Sequence, residues 1–239
     1  GANWTEAQPA GDVDLAWKCC DVDSDGSNFI VGARGGRLYT YASSTWTERR
    51  PGGDNDLQWI ACCSDNDGSV LMACTNTGTF GIAYVSVNSG AAWGVSIANH
   101  HWTDCDASSN GATLIACAEG ANVYTSANSG TNWTTRLSSI GINYWTSCST
   151  DAAGVNFLVT SLGSGGTGVP YGLTYASRNS GAAWTSQKPS TYNTSGIMNW
   201  EGCAVSGDGL YWMMCASYWV YEHNVYTPYN IWISPPTQG

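Results

Sequence analysis

The chain has 239 residues, only 11% of them Asp, Glu, Lys or Arg, and carries 29 Gly, 13 Trp and 13 Tyr at a formal net charge of −10. An apolar share of 43% can build a core, which excludes the disordered class, and the length suits one domain or at most two. Apart from Arg49-Arg50 there is no basic cluster, which argues against a nucleic-acid binder, and no apolar run offers the roughly 18 residues of a membrane insertion.

The amino end, Gly1-Ala-Asn-Trp4-Thr-Glu6, reads as a short strand. A start at Gly rather than Met fits a processed export product as well as a trimmed chain. Downstream, five segments open with Trp-x-x-Cys: Trp17/Cys20, Trp59/Cys62, Trp102/Cys105, Trp145/Cys148 and Trp200/Cys203, at Trp spacings of 42, 43, 43 and 55. Each leads into a polar turn ending in Gly (Gly26, Gly68, Gly111, Gly154, Gly209) and then a short apolar run such as Val70–Cys74 or Thr113–Cys117, which is a β-hairpin signature. A third strand follows around Leu38, Ala83, Val123, Thr174 and Val225, then a turn and a fourth, Trp-bearing strand. Four short strands every 43 residues or so, with no helical period, predict an all-β chain: a five-bladed β-propeller of four-stranded antiparallel blades. The blades are expected at about 13–56, 57–99, 100–142, 143–197 and 198–234 of a single domain.

In the three middle units the third turn reads Ser86-Val-Asn-Ser-Gly-Ala-Ala-Trp93, Ser126-Ala-Asn-Ser-Gly-Thr-Asn-Trp133 and Ser177-Arg-Asn-Ser-Gly-Ala-Ala-Trp184. The pattern Ser-x-Asn-x-Gly-x-x-Trp resembles the Asp-box of the BNR-repeat propellers, which include sialidases, the sortilin-type ectodomain and the photosystem II assembly propeller. The usual Asp is Asn in all three copies, and units one and five carry degenerate versions. The resemblance implies the fold and says little about activity, since Asp-boxes lie on the blade rim.

Trp4 stands 13 residues before Trp17, as Trp46 stands 13 before Trp59, so residues 1–8 read as a strand that closes blade five or is exchanged with a neighbouring molecule. Blade five has a fourth-strand candidate of its own in Asn230-Ile-Trp232-Ile-Ser234. One of the two is surplus.

The pairs Cys62/Cys74, Cys105/Cys117 and Cys203/Cys215 each sit 12 apart across a hairpin and are candidate disulfides, against the plainer reading that Cys fills a small buried position. No Cys-x-x-Cys or Cys/His cluster indicates zinc. Asp21-Val-Asp-Ser-Asp-Gly26 opens like a calcium loop, but its twelfth position is Gly32 where a bidentate Glu belongs, so no metal or cofactor is expected. The triplets at Asn3, Asn132 and Asn193 are candidate N-glycosylation sites in a eukaryotic chain.

A sialidase-like site needs three converging arginines. Four of the six arginines, Arg34, Arg37, Arg49 and Arg50, lie in unit one, with none expected at a repeated position elsewhere, and His100, His101 and His223 read as surface residues of blade connections. No catalytic residue is assigned. Blade five is unusually aromatic, so Trp212, Tyr218, Trp219, Tyr221, Tyr226, Tyr229 and Trp232, with Trp4, are expected to form a contact surface, against the alternative of an aromatic core at the closing seam. Gly163–Pro170 and Lys188–Met198 read as projecting loops of blade four. Together these features predict a secreted, non-catalytic structural or interaction subunit of a surface assembly that associates with itself or with other surface proteins. The alternatives are a lectin-like carbohydrate binder and, third, a sialidase-like glycoside hydrolase.

Overall fold

The computed structural model describes residues 3–77, 80–141, 143–162, 172–187, 197–220 and 225–234. The architecture is all-β, with antiparallel pairing throughout its named strands and no α-helix among the described residues. Unit one comprises β1 (Trp17–Val22), β2 (Phe29–Gly36), β3 (Leu38–Ala42) and β4 (Thr45–Arg49). Unit two has β5 (Leu57–Ser64), β6 (Leu71–Thr75), β7 (Gly81–Ser86) and the first half of β8 (Gly94–Ala107). The second half of β8 opens unit three, followed by β9 (Leu114–Ala121), β10 (Val123–Ser126) and β11 (Thr134–Arg136). Unit four holds β12 (Asn143–Thr150), β13 (Phe157–Leu162), β14 (Thr174–Ser177) and β15 (Thr185–Ser186), and unit five β16 (Ile197–Val205), β17 (Trp212–Val220) and β18 (Val225–Ser234).

The second strands of units two to four read as unbroken apolar runs because each is covered on both faces by neighbouring sheets. Ile115, Cys117 and Phe157 pack between units three and four, while Ala116 and Leu114 pack on the opposite side against unit two. Each first strand carries a bulge just after its Trp, between Trp17/Cys19, Trp59/Ala61, Trp102/Asp104, Trp145/Ser147 and Trp200/Gly202. Four of those tryptophans, Trp59, Trp102, Trp145 and Trp200, are fully buried between units.

The Asn-Ser-Gly turns are built identically. Ser126 Oγ accepts the N–H of Gly130 at 2.9 Å and donates to Asn128 Oδ1, which also accepts the N–H of Asn132 at 2.8 Å. The indole of Trp133 then donates to the Gly130 carbonyl at 3.1 Å. Ser86, Asn88 and Trp93 repeat this arrangement, as do Ser177, Asn179 and Trp184. Asn serves because the turn asks its side chain only for an acceptor oxygen. Gly130 is required: at φ +78°, a Cβ would lie 2.7 Å from Ser96 Oγ and 2.9 Å from Val85 Cγ2.

Two strand assignments change. Residues 225–234 form one ten-residue strand, β18, paired with β17 along its length, so Asn230–Ser234 is the end of a third strand and not a fourth. Residues 3–8 form no strand, and Trp4 is fully exposed. Unit five therefore has three strands among the described residues, and β18 is its edge.

Candidate functional site

Successive units are joined by three sets of repeated contacts. The first is a ladder through the hairpin turns: Ser24 N–H donates to Asn66 O, Asn66 N–H to Ser109 O, Ser109 N–H to Ala152 O and Ala152 N–H to Gly207 O, at 2.9–3.1 Å. The second is a set of side-chain acceptors on the first strands. Asp21 Oδ2 takes the N–H of Ser64, Asp104 Oδ2 that of Cys148, Asp106 Oδ2 that of Thr150, Ser147 Oγ that of Cys203 and Ser149 Oγ that of Val205. Burial raises the carboxyls of Asp21 and Asp104 and pushes Asp106 up to about 6, against the lowering effect of these hydrogen bonds.

The third set leaves the fourth strands. Arg49 donates to Thr40 Oγ1 and the Ser89 carbonyl of the next unit, and Arg136 donates to Thr125 Oγ1 and the Ser180 carbonyl. Ser96 occupies the matching place and donates to Gly130 O. Arg49 and Arg136 each stand three residues after a fourth-strand Trp, so two arginines do sit at a repeated position, contrary to the sequence expectation. Of the others, Arg37 pairs with Asp56, Arg50 with Glu48 and Asp54, and Arg178 lies 4.0 Å over the ring of Trp212. Five of the six arginines are thus engaged in turns, rim ion pairs or ring packing. They do not converge.

All ten cysteines are free, and the hairpin disulfides do not form. Cys62 is opposite Ala73 and Cys74 opposite Ala61; likewise Cys105 faces Ala116, Cys117 faces Asp104, Cys203 faces Met214 and Cys215 faces Gly202. Adjacent residues point to opposite faces of a strand, so each proposed pair is split across the sheet. The thiols meet instead between units, Cys62 with Cys19, Cys63 and Cys74 with Cys105, and Cys117 with Cys148. A hydrogen bond with Cys19 and then burial push the Cys62 thiol well up, and burial followed by the Cys117 contact does the same for Cys148. Such thiols behave as small apolar side chains.

The calcium-like segment is occupied by its own turn: Asp23 accepts from Ser27 and Asn28, and Asp25 from Ser27 N–H. Among the described residues there is no group of three or more His, Cys, Asp or Glu placed to hold a metal ion. His100 and His101 are not loop residues. They lie within β8, where His100 packs 4.6 Å from Tyr124 and 5.1 Å from Trp102, and burial lowers its pKa. With Phe80, Asn99, Glu119 and Tyr144 they line a 340 Å³ cleft. His223 lies outside the described residues.

The aromatic residues of unit five divide. Trp212 is buried against unit four, its indole donating to Gly209 O beneath Arg178, so it is a packing residue and not part of an open surface. Trp232 is half-buried, edge-on to Trp200 at 4.9 Å. For Tyr218, Trp219, Tyr226 and Tyr229 only the strand position is described; Tyr221, Asn193, residues 163–170 and residues 188–196 lie outside the described residues, and Ile197 and Met198, expected at the end of the second loop, belong to β16. Asn3 and Asn132 are exposed.

What unit five does present is an apolar sheet face: Met213, Ile231 and Ile233 are 45%, 65% and 67% exposed. At the other end of the array, unit one presents Trp17 and Val22 at 41% and 44% exposure, and Trp17 lines a 330 Å³ hollow together with Ala7, Pro9, Cys20, Val31 and Trp46 among others. Sequence reading missed both faces. Their signal was a pair of apolar residues two apart on one strand face, Ile231 with Ile233 and Cys20 with Val22, which implies burial on that side.

No protein-family model matches the chain, and no curated protein matches it. Solved structures do. A hydrazine synthase from Kuenenia stuttgartiensis superposes with a TM-score of 0.66 at 13% identity, over 98% of this chain and 66% of that one. The GH74 xyloglucanase from Xanthomonas campestris gives 0.63 at 14% identity, over 94% of this chain and 37% of its own length. YCF48 bound to a D1 peptide gives 0.55 at 12% identity, over 90% and 68%. This chain therefore spans about a third of the GH74 chain and about two-thirds of YCF48. Similarity at this identity carries the fold alone: the chain is an all-β, propeller-type protein.

Proposed function

We propose that this chain is a non-catalytic assembly module, a propeller displayed outside the cell whose work is to bind other protein surfaces. The observation that carries the reading is the pair of open apolar faces. They expose residue types that every internal joint buries, and contiguous apolar surface of this kind marks an interaction site. The engagement of arginines in turns, rim pairs and ring packing supports the same reading over a sialidase-like hydrolase, because with five of the six committed three cannot converge on a substrate carboxylate. The three Asn-Ser-Gly turns fit the Asp-box reading of a five-unit repeat, and exposure of Asn3 and Asn132 fits display outside the cell.

Sedimentation of the purified chain across a concentration series tests the proposal, with aryl glycosides and xyloglucan offered in parallel. Concentration-dependent association without cleavage is expected. A monomer that cleaves any of these substrates contradicts it. A second reading, glycan binding, is favoured by the cleft around Phe80, His100, His101, Glu119 and Tyr144, which combines aromatic faces with polar groups. A glycan array probed with the wild type and Tyr144→Ala decides it.

A further inference from the structure

The two open faces are the two halves of a joint made four times within the chain. At each internal joint, the trailing face of one unit, formed by its second and third strands, packs on the leading face of the next, which offers the Trp and Cys of Trp-x-x-Cys. Met213 stands on the trailing face of unit five where Ile30, Met72, Ile115 and Leu158 stand in units one to four, all 0–1% exposed. Ile231 takes the place of Leu38, Ala83 and Val123, which are likewise buried. On the leading face, Trp17 at 41% exposure corresponds to Trp59, Trp102, Trp145 and Trp200 at 0–1%. Cys20 corresponds to Cys62, Cys105, Cys148 and Cys203, and Cys215 to Cys74 and Cys117.

Among the described residues the turn ladder is open at both ends in the same complementary way. The turn ladder ends at Gly207, whose N–H would donate next, and begins at Ser24, whose carbonyl would accept from a preceding unit. Among the described residues unit five also has no fourth strand beside β18. Within the chain, a fourth strand leads directly into the first strand of the following unit, as the single strand β8 shows. The segment in that position before β1 is Asn3-Trp4-Thr5-Glu6, with Trp4 fully exposed.

From this we infer that the partner of these faces is a second copy of this chain, joined head to tail. The trailing face of unit five in one copy receives the leading face of unit one in the next, setting Cys215 against Cys20 and laying residues 3–6 beside β18. The inference rests on the assembly-module reading and names its partner. A second copy is the occupant because one chain carries both halves in matching register, and both stand exposed in the same molecule. The contact is heterologous, so it propagates into a closed ring of copies or an open filament.

Two single-face variants test it. Val22→Glu blocks the leading face, and Ile231→Glu with Ile233→Glu blocks the trailing face; all three side chains are exposed, and an unchanged thermal melt verifies folding. The wild type is expected to form multimers, each variant alone to remain monomeric, and their 1:1 mixture to form a dimer, since each supplies the half that the other lacks. A mixture that stays monomeric overturns the inference. So does a monomeric wild type in which a short bis-maleimide links Cys20 to Cys215 within one chain. Multimers retained by both variants overturn this joint while leaving the assembly-module reading in place, whereas glycoside cleavage by the monomer removes that reading itself.

Discussion

Asp106 on β8 accepts the backbone N–H of Thr150 on β12 at 2.8 Å, a bond that ties unit three to unit four. Desolvation holds its carboxyl at about 6, above the ordinary 3.8. A carboxyl raised on folding contributes stability in full below about pH 4, and that contribution is lost as the pH rises through about 6. Relative to Asp106→Asn, which cannot titrate, the wild type should lose stability between about pH 4 and pH 7. Thermal melts of both proteins across that range measure it, and a difference that does not change with pH contradicts the assignment.

In the turn of unit three, Asn128 Oδ1 serves only as an acceptor, from Ser126 Oγ and the N–H of Asn132. Asn128→Asp is therefore expected to be neutral, and Asn128→Ala to cost about 1 kcal/mol. Ser126→Ala should cost more, about 1–3 kcal/mol, because it strands the buried N–H of Gly130. Urea unfolding of the three variants establishes the order.

Buried thiols facing each other between units, with no disulfide between them, predict that a reducing agent leaves the melting temperature unchanged. Cys74→Ser should destabilise by about 1–3 kcal/mol, since it places a hydroxyl in a fully buried apolar position. A melting temperature that falls on addition of reductant contradicts the free-thiol arrangement.

Arg136 and Arg50 separate joint from rim. Arg136→Ala removes hydrogen bonds to Thr125 and Ser180 and should cost about 1 kcal/mol. Arg50 pairs with Glu48 and Asp54 on the surface, and Arg50→Ala should leave the melting temperature unchanged.

The repeat was legible because its signals are local: Trp-x-x-Cys, a glycine turn and Ser-x-Asn-x-Gly each dictate a short piece of backbone. Cysteine pairing was not legible, because it depends on the parity of the hairpin register. Cys62 pairs with Ala73 and Ser64 with Leu71, odd separations fixed by the turn between them, so residues 12 apart fall on opposite faces. The arginine pattern was hidden because Arg49, Ser96 and Arg136 share a position through different side chains reaching the same turn. The length of β18 was hidden as well. A continuous ten-residue strand and two short ones differ only in whether Tyr229 and Asn230 turn, and the sequence Thr-Pro-Tyr-Asn reads as a turn locally.

Trp4 extends this to the partner. If residues 3–6 complete unit five of a neighbouring copy, Trp4→Ala should leave the unfolding of the separate chain unchanged and weaken association about tenfold or more, as loss of an aromatic anchor does. Sedimentation beside the wild type gives the shift, and equal association contradicts the strand's role.

Isotope mixing reads the head-to-tail joint most directly. Nitrogen-15-labelled and unlabelled copies are assembled together, treated with a short bis-maleimide and digested, and the peptides linked through Cys20 and Cys215 are weighed. From an equal mixture, mixed-isotope linked peptides are expected in equal share with the pure ones, because the two thiols belong to different copies. Linked peptides of pure isotope alone would place both thiols in one chain and contradict it.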